Sequence, residues 1–160
     1  MSEQLRTAAA LLDVNVLVAL FDAGHPHHEV AHKWFGPNRN RGWATCAITV
    51  NGCVRVLSSP SYPGLEVTTA EVIRRLKALC ESSHDHQFWA DGISLADEKR
   101  FHINLVGPHD EITDVYLLAI AVAHGGFLVT FDRKIRLRSV VGAEEKHLLV
   151  LGVTGGTPTH

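Results

Sequence analysis

The stretch DEITDVYLLAIAVAHGGFLVTFD, residues 110–132, constrains the fold of this chain more than any other. Its apolar residues first recur at helical spacing, Gly125 and Gly126 then stop the helix, and a short apolar run follows with the character of a buried strand. Asp114 stands near the helix start and Asp132 at the strand exit. Those are the places where an open parallel α/β sheet keeps its chemistry, because the loops there are exposed while the elements behind them are rigid.

The rest of the sequence repeats this grammar. Residues 8–13 read as a short strand ending in Asp13, with a turn at 13–15 and then a helix that carries Val16, Ala19 and Leu20 on one face. A second helix at 27–35 is expected to end before Gly36-Pro37, leaving a polar, basic loop at 36–42. Strand 43–46 leads to a helix at 48–57, the loop SSPSYPG, and a helix capped by Thr68 or Thr69 that runs to about residue 82. A strand at 87–90, a short helix at 95–101 capped by Ser94, and a last strand at 147–151 complete the reading. Strands alternating with helices at this spacing predict a mainly parallel sheet with helices on both faces.

A chain of 160 residues is one domain by length, able to bury roughly two thirds of its unfolded surface in a single core. The N-terminal AAALL could imitate a secretion signal, but Asp13 and Asn15 interrupt it early. No apolar run approaches the ~20 residues of a membrane helix. Cys46, Cys53 and Cys80 are odd in number and show no CxxC spacing, which fits packed, reduced thiols of a cytoplasm. A net charge of −2 and a pI near 6.6 exclude a binder that grips nucleic acid by global charge. Any polyanion site is therefore local or uses metal ions.

Asp13, Asp114 and Asp132 each admit two readings. A strand-exit aspartate caps the next helix by accepting its backbone N–H groups. Alternatively, parallel strand ends bring several acids to one edge of the sheet, where they repel and raise one another's pKa unless a cation neutralises them. Hard oxygen ligands of this kind suit Mg²⁺, with Mn²⁺ as a substitute.

Taken together, LLDVNVLVALFD, TVNGCVRVL, ITDVYLLAIAVAHGG and LVTFDRKI resemble the PIN-domain ribonucleases, specifically the VapC-type toxins of bacterial toxin–antitoxin pairs. The resemblance covers most of the chain and implies an α/β fold with a central parallel β-sheet of four or five strands flanked by α-helices. The PIN-like domain is expected at residues 1–152, and the GGTPTH end of the chain reads as a flexible tail at 153–160. The resemblance also implies Mg²⁺-dependent cleavage of RNA, with Asp13, Asp114 and Asp132 as catalytic metal-site acids. Asn15 and Thr130 match supporting positions, although Asn15 also suits a simple turn. Further implications are a VapB-type antitoxin partner, a tRNA or rRNA substrate, homodimerisation, and a bacterial cytoplasmic location.

One position departs from the pattern. The subgroup usually reads T-E-N-G-x-x-R, whereas this chain has Thr49, Val50, Asn51, Gly52 and, at the end of the motif, Arg55. Val50 replaces the expected glutamate, and a valine cannot hold a cation. The sequence thus implies a weakened ribonuclease or, as an alternative, a catalytically silent PIN-fold module that binds antitoxin or RNA. In either case Arg55 and the helices at 48–57 and 68–82 can form a groove for an antitoxin segment, or simply pack into the core. A basic run of Arg133, Lys134, Arg136 and Arg138 either assists with phosphate or is merely solvated. A haloacid-dehalogenase-like phosphatase also begins with a strand and an acidic motif, but it needs a second aspartate where Asn15 stands. Among the eleven histidines, His25, His27, His28 and His32 either form a zinc-binding group or, as we expect, a solvated face, and His109 is a candidate for the cleft or for a surface turn.

Overall fold

Alternation within the short apolar runs decides which way each strand faces. In β1 (Ala10–Leu12), Ala10 and Leu12 enter one core while Leu11 enters the other. The same split separates Trp43 from Ala44 in β2 (Trp43–Cys46) and Val129 from Leu128 in β4 (Phe127–Thr130). Runs that are apolar at every position suit a sheet covered on both faces. A computed structural model describes residues 8–152 and places these strands in one sheet with β3 (His86–Trp89) and β5 (Leu148–Val150). The order is β3-β2-β1-β4-β5, and every neighbouring pair is parallel. The expected tail at 153–160 lies outside the described residues.

Four helices contribute to the first core: α1 (Val14–Phe21), α2 (His28–Asn38), α3 (Ala47–Leu57) and α4 (Thr69–Glu81). They supply Leu17, Phe35, Cys53 and Leu76, among others, and Cys53 settles there as a packed free thiol. The second core is formed by α5 (Ile112–Ala123), with Phe101, Ile135 and Val140 beside it. The buried residues of α5 run from Val115 through Leu117 to Ala121, which is why its sequence is apolar nearly all round. Each fully buried leucine contributes about 2 kcal/mol, so these two faces hold the sheet without any cross-link.

The Gly125-Gly126 stop has two separate causes. Gly125 takes φ +68 just past the helix, where its N–H bonds the Val122 carbonyl while that of Gly126 bonds Ala121, a Schellman closure. Gly126 is needed for space, since a Cβ there would run into the Ala9 carbonyl oxygen and the Trp89 ring. The close turn delivers the chain directly into β4 beside β1.

The strand order fixes where a site can form. From central β1 the chain moves outward through β2 to β3, then returns past β1 to β4 and β5. The β1–β4 pair is therefore the switch point, and its carboxyl ends open a crevice. Asp13 follows β1 directly and Asp132 lies two residues beyond β4. Because α5 runs back to feed the start of β4, its first turn, with Asp114, also lies at this edge.

Two local expectations fail for physical reasons. Helix α2 does not stop before Gly36-Pro37. It runs to Asn38 with Pro37 inside, and a 3-10 turn at Arg39–Arg41 replaces the expected loop. The proline sits one residue before the helix end, so the bond its missing N–H cannot make is lost at the terminus rather than in the interior, and the Asn38 side chain bonds the Trp34 carbonyl at 2.7 Å. The helix expected at 95–101 is a series of turns. Ser94 caps only Ala96, Asp97 accepts from Lys99 N–H, and Phe101 pairs antiparallel with Val140. The tertiary bonds His102 N–H to Ser139 and Val141 N–H to Arg100 outweigh local helical preference. Among the described residues no helix is long and apolar enough to cross a membrane.

Candidate functional site at the carboxyl edge of the sheet

Asp13 serves both readings at once. It caps α1, its Oδ1 accepting from Val14 N–H at 2.7 Å, and its Oδ2 accepts from the Thr130 hydroxyl at 2.7 Å. The side chain is only 4% exposed. Burial pushes its pKa up, the Thr130 and Val14 hydrogen bonds pull it down, and the charge of Asp132 pushes it up again.

Thr130 is the hub of this network. Its hydroxyl is fully buried, donates to Asp13, and accepts from Asn15 Nδ2 at 3.4 Å and from Asp132 N–H at 3.0 Å. Asn15 Oδ1 in turn accepts from Phe131 N–H at 3.3 Å. The asparagine thus stitches α1 to the exit of β4, a tertiary role beyond the turn that its position suggests.

Asp114 is half-buried in the first turn of α5, and its carboxyl is pushed up to about 8. Burial is the leading cause, followed by the charge of Asp13, a hydrogen bond to Asp132, and the charges of Asp132 and Glu111. The structure therefore brings the three predicted acids within mutual electrostatic reach. Asp132 Oδ1 accepts from Lys134 N–H at 2.8 Å, which fixes the start of the following turn.

Among the described residues, no three His, Cys, Asp or Glu side chains converge closely enough to hold a metal ion by themselves. An open set of oxygen donors still suits Mg²⁺, which binds through one or two carboxylates and completes its shell with waters and substrate phosphates. The acids fit such an ion chemically, since burial and then their mutual repulsion hold the Asp114 carboxyl up while no cation neutralises them. Val50, half-buried on α3, instead lines an open groove of about 730 Å³ with Val54, Arg55 and Ile73.

Glu111 has no counterpart in the sequence reading. It is 9% exposed, one turn ahead of Asp114, and its Oε2 lies 3.3 Å from Arg136 Nε. The approach is off line for a hydrogen bond, so this oxygen has an ionic partner but no donor. The only available signal was an acid three residues before Asp114. Arg136 is consequently tied back by this ion pair. Arg133, Lys134 and Arg138 are exposed, as is His109.

The histidine group is the expected solvated face in part, with His27 and His32 exposed and His25 and His28 half-buried, but two of its rings also have backbone partners. His28 Nδ1 lies 2.7 Å from the Ala19 carbonyl and His32 Nε2 lies 2.8 Å from that of Leu20. Both rings therefore donate to the unsatisfied carbonyls at the end of α1, which is the tertiary equivalent of a helix cap.

A buried, threonine-anchored aspartate facing two further acids at the switch point of a five-stranded parallel sheet is an arrangement that family comparison can place. The family model of the PIN domain matches residues 10–140, and the chain belongs to that family. Within it, the chain is similar to the VapC ribonucleases. It is 45% identical over 144 residues to ribonuclease VapC44 of Mycobacterium tuberculosis strain H37Rv, covering 89% of this chain and 99% of that one. Its identity to ribonuclease VapC39 of the same strain is 42% over 123 residues, 77% and 88% of the two chains. The crystal structure of M. tuberculosis VapC20, described as a Sarcin-Ricin loop cleaving toxin, shares the fold with a TM-score of 0.53 at 14% identity, over 74% of this chain and 85% of that one. The resemblance read from the sequence motifs is thereby borne out, and the dehalogenase-like alternative falls away.

Proposed function

We propose that this chain is an endoribonuclease toxin of the VapC type, working at Asp13, Asp114 and Asp132 with Mg²⁺, or Mn²⁺ in its place. The observation that carries the reading is the convergence of these acids at the β1–β4 switch point, with Asp114 pushed up to about 8. When bound, the cation would polarise the scissile phosphate and ease ionisation of the attacking water.

The protein's own groups have distinct tasks. Thr130 and Val14 N–H hold Asp13 in one orientation and leave lone pairs on both of its oxygens. Asn15 and Asp132 N–H satisfy the remaining capacity of the Thr130 hydroxyl, so that it has one rotamer to adopt. Asp114, whose carboxyl is held up by burial and by the neighbouring acids, would lose its proton to solvent as a bound cation neutralised the site, and would then help to hold that cation.

Val50 favours a second reading, a silent module that binds without cutting. The two separate in an RNA-cleavage assay in Mg²⁺ comparing this chain with Val50→Glu and Asp114→Asn. The expected result is slow cleavage by this chain, faster cleavage by Val50→Glu, and none by Asp114→Asn. An unchanged rate in Val50→Glu means that position 50 is not the missing acid. No cleavage by either active-site form leaves the binding module.

The partner of this reading is a VapB-type antitoxin, supported by the groove between α3 and α4 where Val50, Val54 and Ile73 lie beside Arg55. Ile73 is 52% exposed, an apolar anchor point for a helix in a groove. A structured RNA, tRNA or rRNA, is the proposed substrate, in the bacterial cytoplasm. A homodimer is the proposed state, and light scattering at micromolar protein tests it directly.

A further inference from the structure

The imidazole of His27 lies nearly flat on the ring of Phe131, with centroids 4.6 Å apart and planes inclined by 19°. Phe131 is the residue between Thr130 and Asp132, so this pair stands beside the strand exit that carries the acids. The inner ring is half-buried and the outer residue is exposed.

Both supports are fixed. The Asn15 amide that bonds Thr130 also receives Phe131 N–H, so one side chain ties the aromatic ledge to the acid site. On the other side, His27 N–H donates to His25 Nδ1 at 3.0 Å across Pro26, and the neighbouring His28 is anchored on the Ala19 carbonyl. Covering Phe131 alone would need only an aliphatic side chain. A planar ring with solvent on its outer side and nitrogens at its edge offers a π-surface as well.

Unstacked bases of RNA stack on His and Phe rings, and such contacts tolerate any base because every base has a π-face. Resting on the ribonuclease reading above, we propose that His27, backed by Phe131, is a stacking platform for a nucleobase of single-stranded or looped RNA, next to the phosphate that the acids address. The platform compensates for the mildly acidic surface, because stacking supplies affinity without positive charge.

The test uses the full chain carrying Asp114→Asn to block cleavage, and a fluorescein-labelled single-stranded RNA of mixed sequence containing 2-aminopurine, in Mg²⁺. His27→Ala is expected to weaken binding about tenfold, the order for one lost stacked base, and to remove the 2-aminopurine quench. The slope of log affinity against log salt stays the same, because no phosphate contact is lost. His27→Tyr keeps the affinity, whereas His27→Gln, which retains polarity without a ring, behaves as alanine does. Equal binding by His27→Ala, or a loss that tyrosine does not restore, overturns the platform. Failure of the parent to bind this RNA, together with absence of cleavage by the Asp114 form, overturns the ribonuclease reading as well.

Discussion

Replacing Asp114 by asparagine separates the electrostatic account of the acidic crevice from a merely structural one. In the folded chain this carboxyl is pushed from its ordinary value of 3.8 to about 8, first by burial and then by the charge of Asp13 and by its contact with Asp132. Between these values the folded state binds more protons at this group than the unfolded state does. Its contribution is therefore harmless below about pH 4 and increasingly unfavourable as pH rises toward 8. A shift of about four pH units has a ceiling of ~6 kcal/mol. Asp114 is only half-buried, however, and solvent screening reduces the expected penalty to about 1–2 kcal/mol. For a chain of this size that corresponds to roughly 3–8 °C in unfolding midpoint.

The assay is thermal unfolding in EDTA from pH 4.5 to pH 8.5, on the parent and on Asp114→Asn. Asparagine keeps the shape and removes the charge, so the variant should overtake the parent as pH rises. Mg²⁺ added at the alkaline end should raise the midpoint of the parent and leave that of the variant nearly unmoved. If Asp114→Asn is no more stable than the parent at pH 8.5, burial and the neighbouring acids do not hold this carboxyl up as described.

Three further perturbations probe what surrounds the site. Thr130→Val removes a fully buried hydroxyl that serves Asp13, Asn15 and Asp132 N–H, and should cost about 1–3 kcal/mol in urea unfolding. Gly126→Ala should destabilise more than Gly125→Ala, by circular dichroism melts of both. The first forces a methyl into the Ala9 carbonyl and Trp89, while the second strains one positive-φ residue at a cost of about 1 kcal/mol. His28→Ala and His32→Ala each leave a carbonyl at the end of α1 without its donor, with an expected loss near 1 kcal/mol apiece and no change in zinc content by elemental analysis.

The parts of this protein that are legible in its sequence are those that local chemistry dictates. Apolar alternation in ALL and FLVT decides the strands and their two faces, and Gly125-Gly126 marks the helix end, because a positive φ and a missing side chain are properties of the residue itself. The DxN, TVNG, TD and TFD segments suffice to select Asp13, Val50, Asp114 and Asp132. Whether those acids meet is another matter. That depends on the order β3-β2-β1-β4-β5, which sets β4 against β1 although 114 residues separate Leu12 from Phe127.

Long-range contacts also decide most of the points on which the two levels disagree. Pairing of Phe101 with Val140 converts an expected helix into turns, and two histidines that resemble a metal motif instead complete the carbonyls of α1. The Glu111–Arg136 pair and the His27–Phe131 ledge join residues whose spacing in the chain carries no signal. A sequence determines which side chains can act, because each residue brings its own shape and charge. Only packing decides which of them share a dielectric, a proton or a stacking face, because those interactions depend on distances that the fold alone sets.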